Sequence, residues 1–317
     1  MKIRSALAFF LALLFVFISR LSVAESSEAQ NLAPMQASSA AAVKKVSFTP
    51  ASPTFEKSNL PERIAGEQGA LVFSAPPHET EAEALRTYRP IAEYLTHIIG
   101  KKIVFHYPKD WLTYQKEMQQ GRYDLVFDGP HLNSWRISNL QHHTLVKLAD
   151  EYAFVVVVRK EDRITNLKQL AGLRICGMTP PDFGTLAVLS QFDNPARQPL
   201  IVNTLGATKV YESVAIEKQC NAGILPAASV KKFNESNNLL RAIYMTQPIP
   251  NQAFSAGPRI SQQDQARIAA ALVSPEASQV VSRLMAANGA DKGLAFAGKN
   301  DYTGLDVYLK DSWGYRR

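Results

Sequence analysis

The 317-residue sequence predicts an α/β fold arranged as two lobes with a cleft between them. Three observations carry the prediction. Short apolar runs alternate with helical stretches from about residue 69 onward, a highly polar connection interrupts them at 159–163, and a proline-stiffened one follows at 247–252. Strands alternating with helices imply mostly parallel sheets covered on both faces. With 46% hydrophobic and 20% charged residues, the composition excludes collagen-like, coiled-coil and wholly disordered chains.

The elements follow in order. Ala70 to Ser74 reads as a buried strand ending at Ala75-Pro76-Pro77, and Glu79 to Ile99 as a helix with Leu85, Tyr88, Ala92, Leu95 and Ile99 on one face, stopped by Gly100. The rhythm repeats with a strand at 103–107 and a helix at 111–120, a strand at 125–127 and a helix at 132–140, then a strand at 145–149. Tyr152 to Val158 is β-branched and aromatic, and the Arg159-Lys160-Glu161-Asp162-Arg163 run after it reads as the crossover to the second lobe. A second α/β unit has strands at 173–176, 200–205, 222–225 and 240–245, with helices at 184–191 and 207–218. The Gln247 to Gln252 segment is the return crossover. Helices at 262–272 and 275–286, the second capped by Ser274, close the chain without a sheet of their own and are expected to pack back on the first lobe. Two crossovers then make a hinge.

The N-terminal part is set apart. Lys2 and Arg4 precede an apolar run from Ala6 to Ile18, and Ser22-Val23-Ala24 places small residues where a signal peptidase cuts, so 1–24 reads as a cleavable leader and the mature protein as periplasmic. Arg20 near the end of the run leaves retention as an anchor the alternative. No later stretch reaches the ~20 apolar residues that span a bilayer. Residues 25–67 are rich in Ser, Ala, Pro, Glu and Gln with no apolar period, and read as a disordered linker. The expected organisation is therefore leader 1–24, linker 25–67, first lobe 68–157 completed by 253–317, and second lobe 158–252.

The formal charge is +7, and removal of Lys2, Arg4 and Arg20 leaves 32 basic against 28 acidic residues. The remaining cations are scattered and form no stripe interleaved with aromatics, so nucleic acid is excluded as a partner. Cys176 and Cys220 are the only cysteines, and in an exported chain a disulfide is the expected state, against two buried thiols. Neither cofactor nor metal is expected: no CxxC, Cys/His cluster, GxSxG, HExxH or P-loop pattern occurs, and His142-His143 has no carboxylate at metal-ligand spacing.

Several segments together resemble one family. These are Thr87-Tyr88-Arg89-Pro90-Ile91-Ala92-Glu93-Tyr94-Leu95 followed by Gly100, then Lys109-Asp110-Trp111, then Gly121-Arg122-Tyr123-Asp124-Leu125-Val126-Phe127-Asp128-Gly129-Pro130. Leu167-Lys168-Gln169-Leu170-Ala171-Gly172-Leu173-Arg174-Ile175, Ile249-Pro250 and Asn300-Asp301-Tyr302 continue the pattern. In order and spacing they resemble the phosphate/phosphite/phosphonate-type periplasmic solute-binding proteins across nearly all of 68–317. The resemblance implies a type II periplasmic binding protein fold, a monomer that traps a small solute by hinge closure and delivers it to the membrane permease of an ABC transporter. Where that family has a Ser-Thr-Ser-Gly type loop opening the second lobe's first helix, this chain has Pro180-Pro181-Asp182-Phe183-Gly184-Thr185. A carboxylate replaces hydroxyls there, and at 4 Å it would repel each charge of an anion by roughly 4 kcal/mol at an effective dielectric near 20.

Open α/β sheets bind ligands beyond the C-terminal ends of their strands, and this places the candidate ligand residues. They are Pro76 after the first strand, Trp111 and Tyr114 after the second, Asp128, Gly129 and His131 after the third, and Asp182, Phe183, Gly184 and Thr185 in the other lobe. Asn251 and Gln252 on the return crossover are candidates for either hinge or ligand contacts. Asp182 reads equally as an N-cap on its helix, Trp111 as a ligand stacker or a lobe seal, and Asp128 as a binding group or a helix cap. No catalytic residue is assigned, and two other functions stay open: a ligand sensor docking on a membrane receptor, and an enzyme on the same bilobal scaffold.

Overall fold

The computed structural model describes residues 69–298, 300–310, 312 and 315. The leader expected at 1–24 and the linker expected at 25–67 lie outside them. The first lobe opens with β1 (Leu71–Ser74), α1 (Glu81–Ile99), β2 (Ile103–His106), α2 (Trp111–Gln119), β3 (Leu125–Asp128), α3 (Pro130–Leu140) and β4 (His143–Leu148). Thr80 and Glu83 start α1 with a reciprocal capping box, and Gly100 ends it at φ 71°, a left-handed conformation that glycine adopts without strain. The buried face of α1, with Tyr88, Ile91, Leu95 and Ile99, packs into one core with Phe73, Phe127 and Phe254.

The second lobe comprises β5 (Phe154–Arg159), β6 (Arg174–Gly177), α4 (Phe183–Leu189), β7 (Leu200–Asn203), α5 (Ala207–Ala215), β8 (Ala222–Pro226), α6 (Ala227–Ser236) and β9 (Leu240–Met245). The chain then returns through β10 (Ala253–Ala256), α7 (Gln262–Leu272), α8 (Ser278–Ala287) and β11 (Leu294–Phe296). The two sheets run β11-β4-β10-β3-β1-β2 and β7-β6-β8-β5-β9. The Cys176–Cys220 disulfide forms in the second lobe, with Cα atoms 5.7 Å apart, and joins β6 to the approach to β8. Among the described residues no helix is long and apolar enough to cross a membrane.

Four expectations are corrected. The sheets are mixed: β1 is parallel to β2 and β3, and β6 to β7 and β8, whereas β10, β11, β5 and β9 enter antiparallel. Strands that arrive from the other lobe, β5 and β10, meet their sheets from the opposite end, so they cannot continue the βαβ direction. The outward crossover precedes the charged run at 159–163, because β5 pairs along its length with β8 and β9; the 157/158 boundary thus falls inside a strand of the second sheet. The charged run is instead a surface turn in which Arg159 pairs with Asp162 at 3.0 Å. The returning tail is not sheetless, since β10 sits between β3 and β4 and β11 extends the edge. Its last helix is also divided, with Ser274 leading a 3-10 turn at Pro275–Ala277, and Ser274 makes no side-chain cap bond.

The two crossovers run side by side. Tyr152 and Ile249 exchange backbone hydrogen bonds of 3.2 and 3.1 Å in an isolated antiparallel bridge, which makes a two-stranded hinge from 149–153 and 246–252. A third connection comes from the tail: Tyr302 donates to the Asn251 carbonyl at 2.5 Å, Ser134 donates to Asp306 at 3.0 Å, and the Tyr308 ring meets Phe183 edge-on at 5.0 Å.

Candidate functional site

At the C-terminal end of β3 the chain buries a full charge. Asp128 is 1% exposed, and its Oδ2 accepts from the Arg136 guanidinium at 2.5 Å and from the Tyr114 hydroxyl. Its Oδ1 accepts from the Gly129 N–H at 2.7 Å, and Arg136 donates again to the Tyr114 oxygen at 2.6 Å. Three hydrogen bonds, one of them from a cation, thus hold this carboxylate, as a buried ion requires. Burial, ahead of any neighbour, pushes the Tyr114 phenol well above its ordinary pKa and keeps it protonated. Tyr114, a candidate ligand residue by sequence, therefore lies inside the lobe beneath the cleft.

Facing this knot across the junction is the start of α4. Asp182 caps the helix, accepting from the Thr185 N–H at 3.1 Å, so the cap reading of its sequence context is the geometry found. Burial raises its carboxyl to about 6, against the lowering effect of hydrogen bonds from the Thr185 and Gly184 amides. Thr185 turns its hydroxyl to the Met178 carbonyl at 2.5 Å, and Gly184 packs so closely on the Phe154 ring that a Cβ would lie 2.4 Å from it. These two residues shape the helix start and do not line the cleft. Phe183 is the aromatic hub of the junction, with His131, Tyr152, Phe154 and Tyr308 rings within 6.0 Å.

His131, at the start of α3, reaches across to the other lobe, where its Nε2 lies 2.7 Å from the Pro181 carbonyl. A carbonyl only accepts, so Nε2 carries the proton. Desolvation lowers the imidazole pKa to about 4, so the ring is neutral at pH 7 and Nδ1 is a lone-pair acceptor. That Nδ1 is buried without a partner, as is Nδ1 of His78. The His78 ring lies edge-on to Trp111 at 5.0 Å.

Between the lobes lies a cavity of about 280 Å³, floored by the hinge. Pro76, Asp128 and Gly129 line it from the first lobe, Asp182 from the second, and Asn251 and Gln252 from the return crossover. A narrower recess shares Asp128, Gly129, Asp182 and Gln252 with it and adds Trp111, His131 and Phe183. Nine of the twelve sequence candidates thus converge on one cleft, and Tyr114, Gly184 and Thr185 support it from behind. Asn251 serves the hinge as well: its amide donates to the Asp150 carbonyl at 3.0 Å and its Oδ1 accepts from the Gln252 N–H at 2.8 Å.

The cleft also holds residues that sequence reasoning missed: His78, Glu79, Tyr88 and Tyr152. Tyr152 opens the β-branched and aromatic run at 152–158, and its hydroxyl accepts from the Gln252 amide at 3.3 Å, so it belongs to the hinge. Arg136 was missed too, although the carboxylate closing β3 was itself a signal that a cation had to lie nearby. Among the described residues no group of three or more His, Cys, Asp or Glu is placed to hold a metal ion.

The profile of the ABC transporter phosphonate periplasmic substrate-binding proteins matches residues 73–302. The chain belongs to this family. Solved structures share the architecture of this phosphonate-family binding protein at low identity. XAC2383 from Xanthomonas citri, bound to ATP, superposes with a TM-score of 0.61 at 12% identity, covering 76% of this chain and 97% of that one. PhnD1 from Prochlorococcus marinus, in complex with methylphosphonate, gives 0.59 at 14% identity, covering 76% and 97%. The binding protein component of an ABC phosphonate transporter from Pseudomonas aeruginosa gives 0.55 at 11% identity, covering 74% and 83%. At these identities the likeness concerns the fold, which is that of type II periplasmic binding proteins. No curated protein sequence matches the chain significantly.

Proposed function

We propose that this family member works in the periplasm as the solute-capturing partner of an ABC permease, closing its lobes on a small polar molecule in the cleft and performing no chemistry on it. The observation that carries the reading is the position of the cavity, lined by both lobes and by the return crossover, so that rotation about the hinge opens and closes it. The chemistry around it fits binding better than turnover. The Asp128 carboxylate is held by Arg136, Tyr114 and Gly129, and His131 by Pro181. A thermal-shift panel of phosphonates, phosphate, sulfonates, amino acids and amines on the mature protein tests the proposal. A solute at 100-fold over its dissociation constant adds about 2.7 kcal/mol, which moves the melting temperature of a chain this size by about 5 °C or more. Small-angle scattering should then show contraction on adding that solute, and product analysis should recover it unchanged. A panel without a single stabilising solute removes the capture reading, and a converted solute removes its non-catalytic part.

A further inference from the structure

The lining of the cleft points to a class of solute, an inference that rests on the capture reading above. Among the described residues that line the cavity and its recess there is no lysine or arginine. Arg136 lies beneath the floor, fully buried, and is committed to Asp128 and Tyr114. Acidic residues line the space instead: Glu79 from the first lobe, Glu151 from the outward crossover and Asp182 from the second lobe, together with Asp150, whose carboxylate is held by the Asp291 and Lys292 N–H groups. Asp182 is buried, and among the described residues no cation pairs with it.

A second, independent observation comes from His131. Its ring is 3% exposed and lines the recess beside Asp182, and the hydrogen bond to Pro181 fixes its tautomer, so the orphaned Nδ1 offers a lone pair. The recess, about 10 Å³, admits one small group, and the acceptors around it call for a hydrogen-bond donor. Aromatic residues contribute to the wall beside aliphatic ones, with Tyr88, Phe127, Tyr152 and Phe154 in the cavity and Trp111 and Phe183 in the recess. Ring faces attract cations and repel anions. An anionic solute would meet the Glu79, Glu151 and Asp182 carboxylates with no cation to offset them. Its only donors would be neutral hydroxyls and amides such as those of Thr204, Ser229, Asn251 and Gln252 and the starts of α5 and α6, while the N-terminus of α4 is closed by the Asp182 cap.

We infer that the solute is a compact organic cation, a protonated or methylated amine, with its charged nitrogen at the Asp182 carboxylate and the aromatic walls around it. Calorimetric titration of the mature protein with ethanolamine, choline and methylphosphonate tests this. The expected result is saturable one-site binding of at least one amine, about 100-fold tighter than methylphosphonate, and weakened about 10-fold or more by Asp182→Asn. Asparagine caps a helix as well as aspartate does, so this variant folds, and its melt is recorded alongside. Tyr152→Leu is the second variant and should weaken choline, the quaternary ion, more than ethanolamine. Methylphosphonate binding as tightly as either amine overturns the inference and leaves solute capture standing. The same holds if both amines fail while another solute in the thermal-shift panel stabilises the protein. Amine binding that ignores Asp182→Asn overturns the assignment to this carboxylate, and only a silent panel removes the capture reading itself.

Discussion

His131 on the first lobe donates from Nε2 to the carbonyl of Pro181 on the second, across 2.7 Å of buried space. The bond does more than join the lobes. It fixes which ring nitrogen holds the proton, and so leaves the other a buried acceptor without a partner, in a ring that lines the recess. One backbone carbonyl in the second lobe thereby sets the hydrogen-bonding character of the first lobe's contribution to the site.

The same burial makes the protein sensitive to acid. Unfolded, His131 takes up a proton below about 6.5, whereas folded it does so only below about 4, so between these values the unfolded chain binds more protons and stability rises with pH. His78 and His142 are shifted in the same direction, again chiefly by desolvation. His131→Gln retains a donor for the Pro181 carbonyl and removes the titration. At pH 5 it should be more stable than the parent by about 2 kcal/mol in urea unfolding, with the gain fading at pH 7. Equal acid limbs for the two proteins would show that His131 is protonated in the folded state.

The Asp128–Arg136 pair predicts a strong non-additive effect. Arg136→Met leaves a carboxylate buried with only neutral donors, which costs about 3–5 kcal/mol, whereas removing both charges lifts most of that penalty. Asp128→Asn combined with Arg136→Met should therefore be more stable than Arg136→Met alone. A double-mutant cycle by denaturant unfolding reads the coupling directly. Simple additivity would mean that water or another cation compensates Asp128 in the single variant.

The elements whose signals are local were legible in the sequence. The one-sided apolar face of α1, the Gly100 stop and the strand-end position of Asp128 each depend on residues within a few positions of one another. The residues that decide the architecture at the crossovers depend on pairing across the chain. Phe154–Arg159 is as apolar as a strand of either sheet, and only its register with β8 and β9 assigns it to the second lobe. Ala253–Ala256 is too short and plain to announce itself, yet it sits between β3 and β4. In the site, strand ends located the cleft, but His78, Glu79 and Tyr152 lie on connections whose course no periodicity encodes.

The disulfide should stabilise chiefly through the unfolded chain. Cys176 and Cys220 are both buried and are separated by 44 positions, and closing a loop of that length is worth about 4 kcal/mol in the chain-entropy model. Cys176→Ala with Cys220→Ala should lower stability by about that amount, with the first lobe's aromatic core unchanged in near-ultraviolet dichroism. A loss well under 1 kcal/mol would show that the unfolded chain is already compact around these residues.

Asp182 links stability to binding with opposite signs. Its carboxyl titrates near 3.8 in an unfolded chain and near 6 in the folded protein, so between these values the folded state holds more protons and stability falls as pH rises. Above about pH 6 the full penalty applies, about 3 kcal/mol as an upper figure. Asp182→Asn keeps the cap and removes the buried charge, so at pH 7 it should melt higher than the parent, the difference vanishing below about pH 4. A cation bound at this carboxylate offsets the penalty and lowers its pKa. Amine binding near pH 6 should therefore release a fraction of a proton, seen as a binding enthalpy that varies with the ionisation enthalpy of the buffer, and affinity should fall as the pH drops toward 5. A variant no more stable than the parent at pH 7, or an enthalpy independent of buffer, would show that the carboxyl is solvated in the folded protein and free of the penalty that a bound cation relieves.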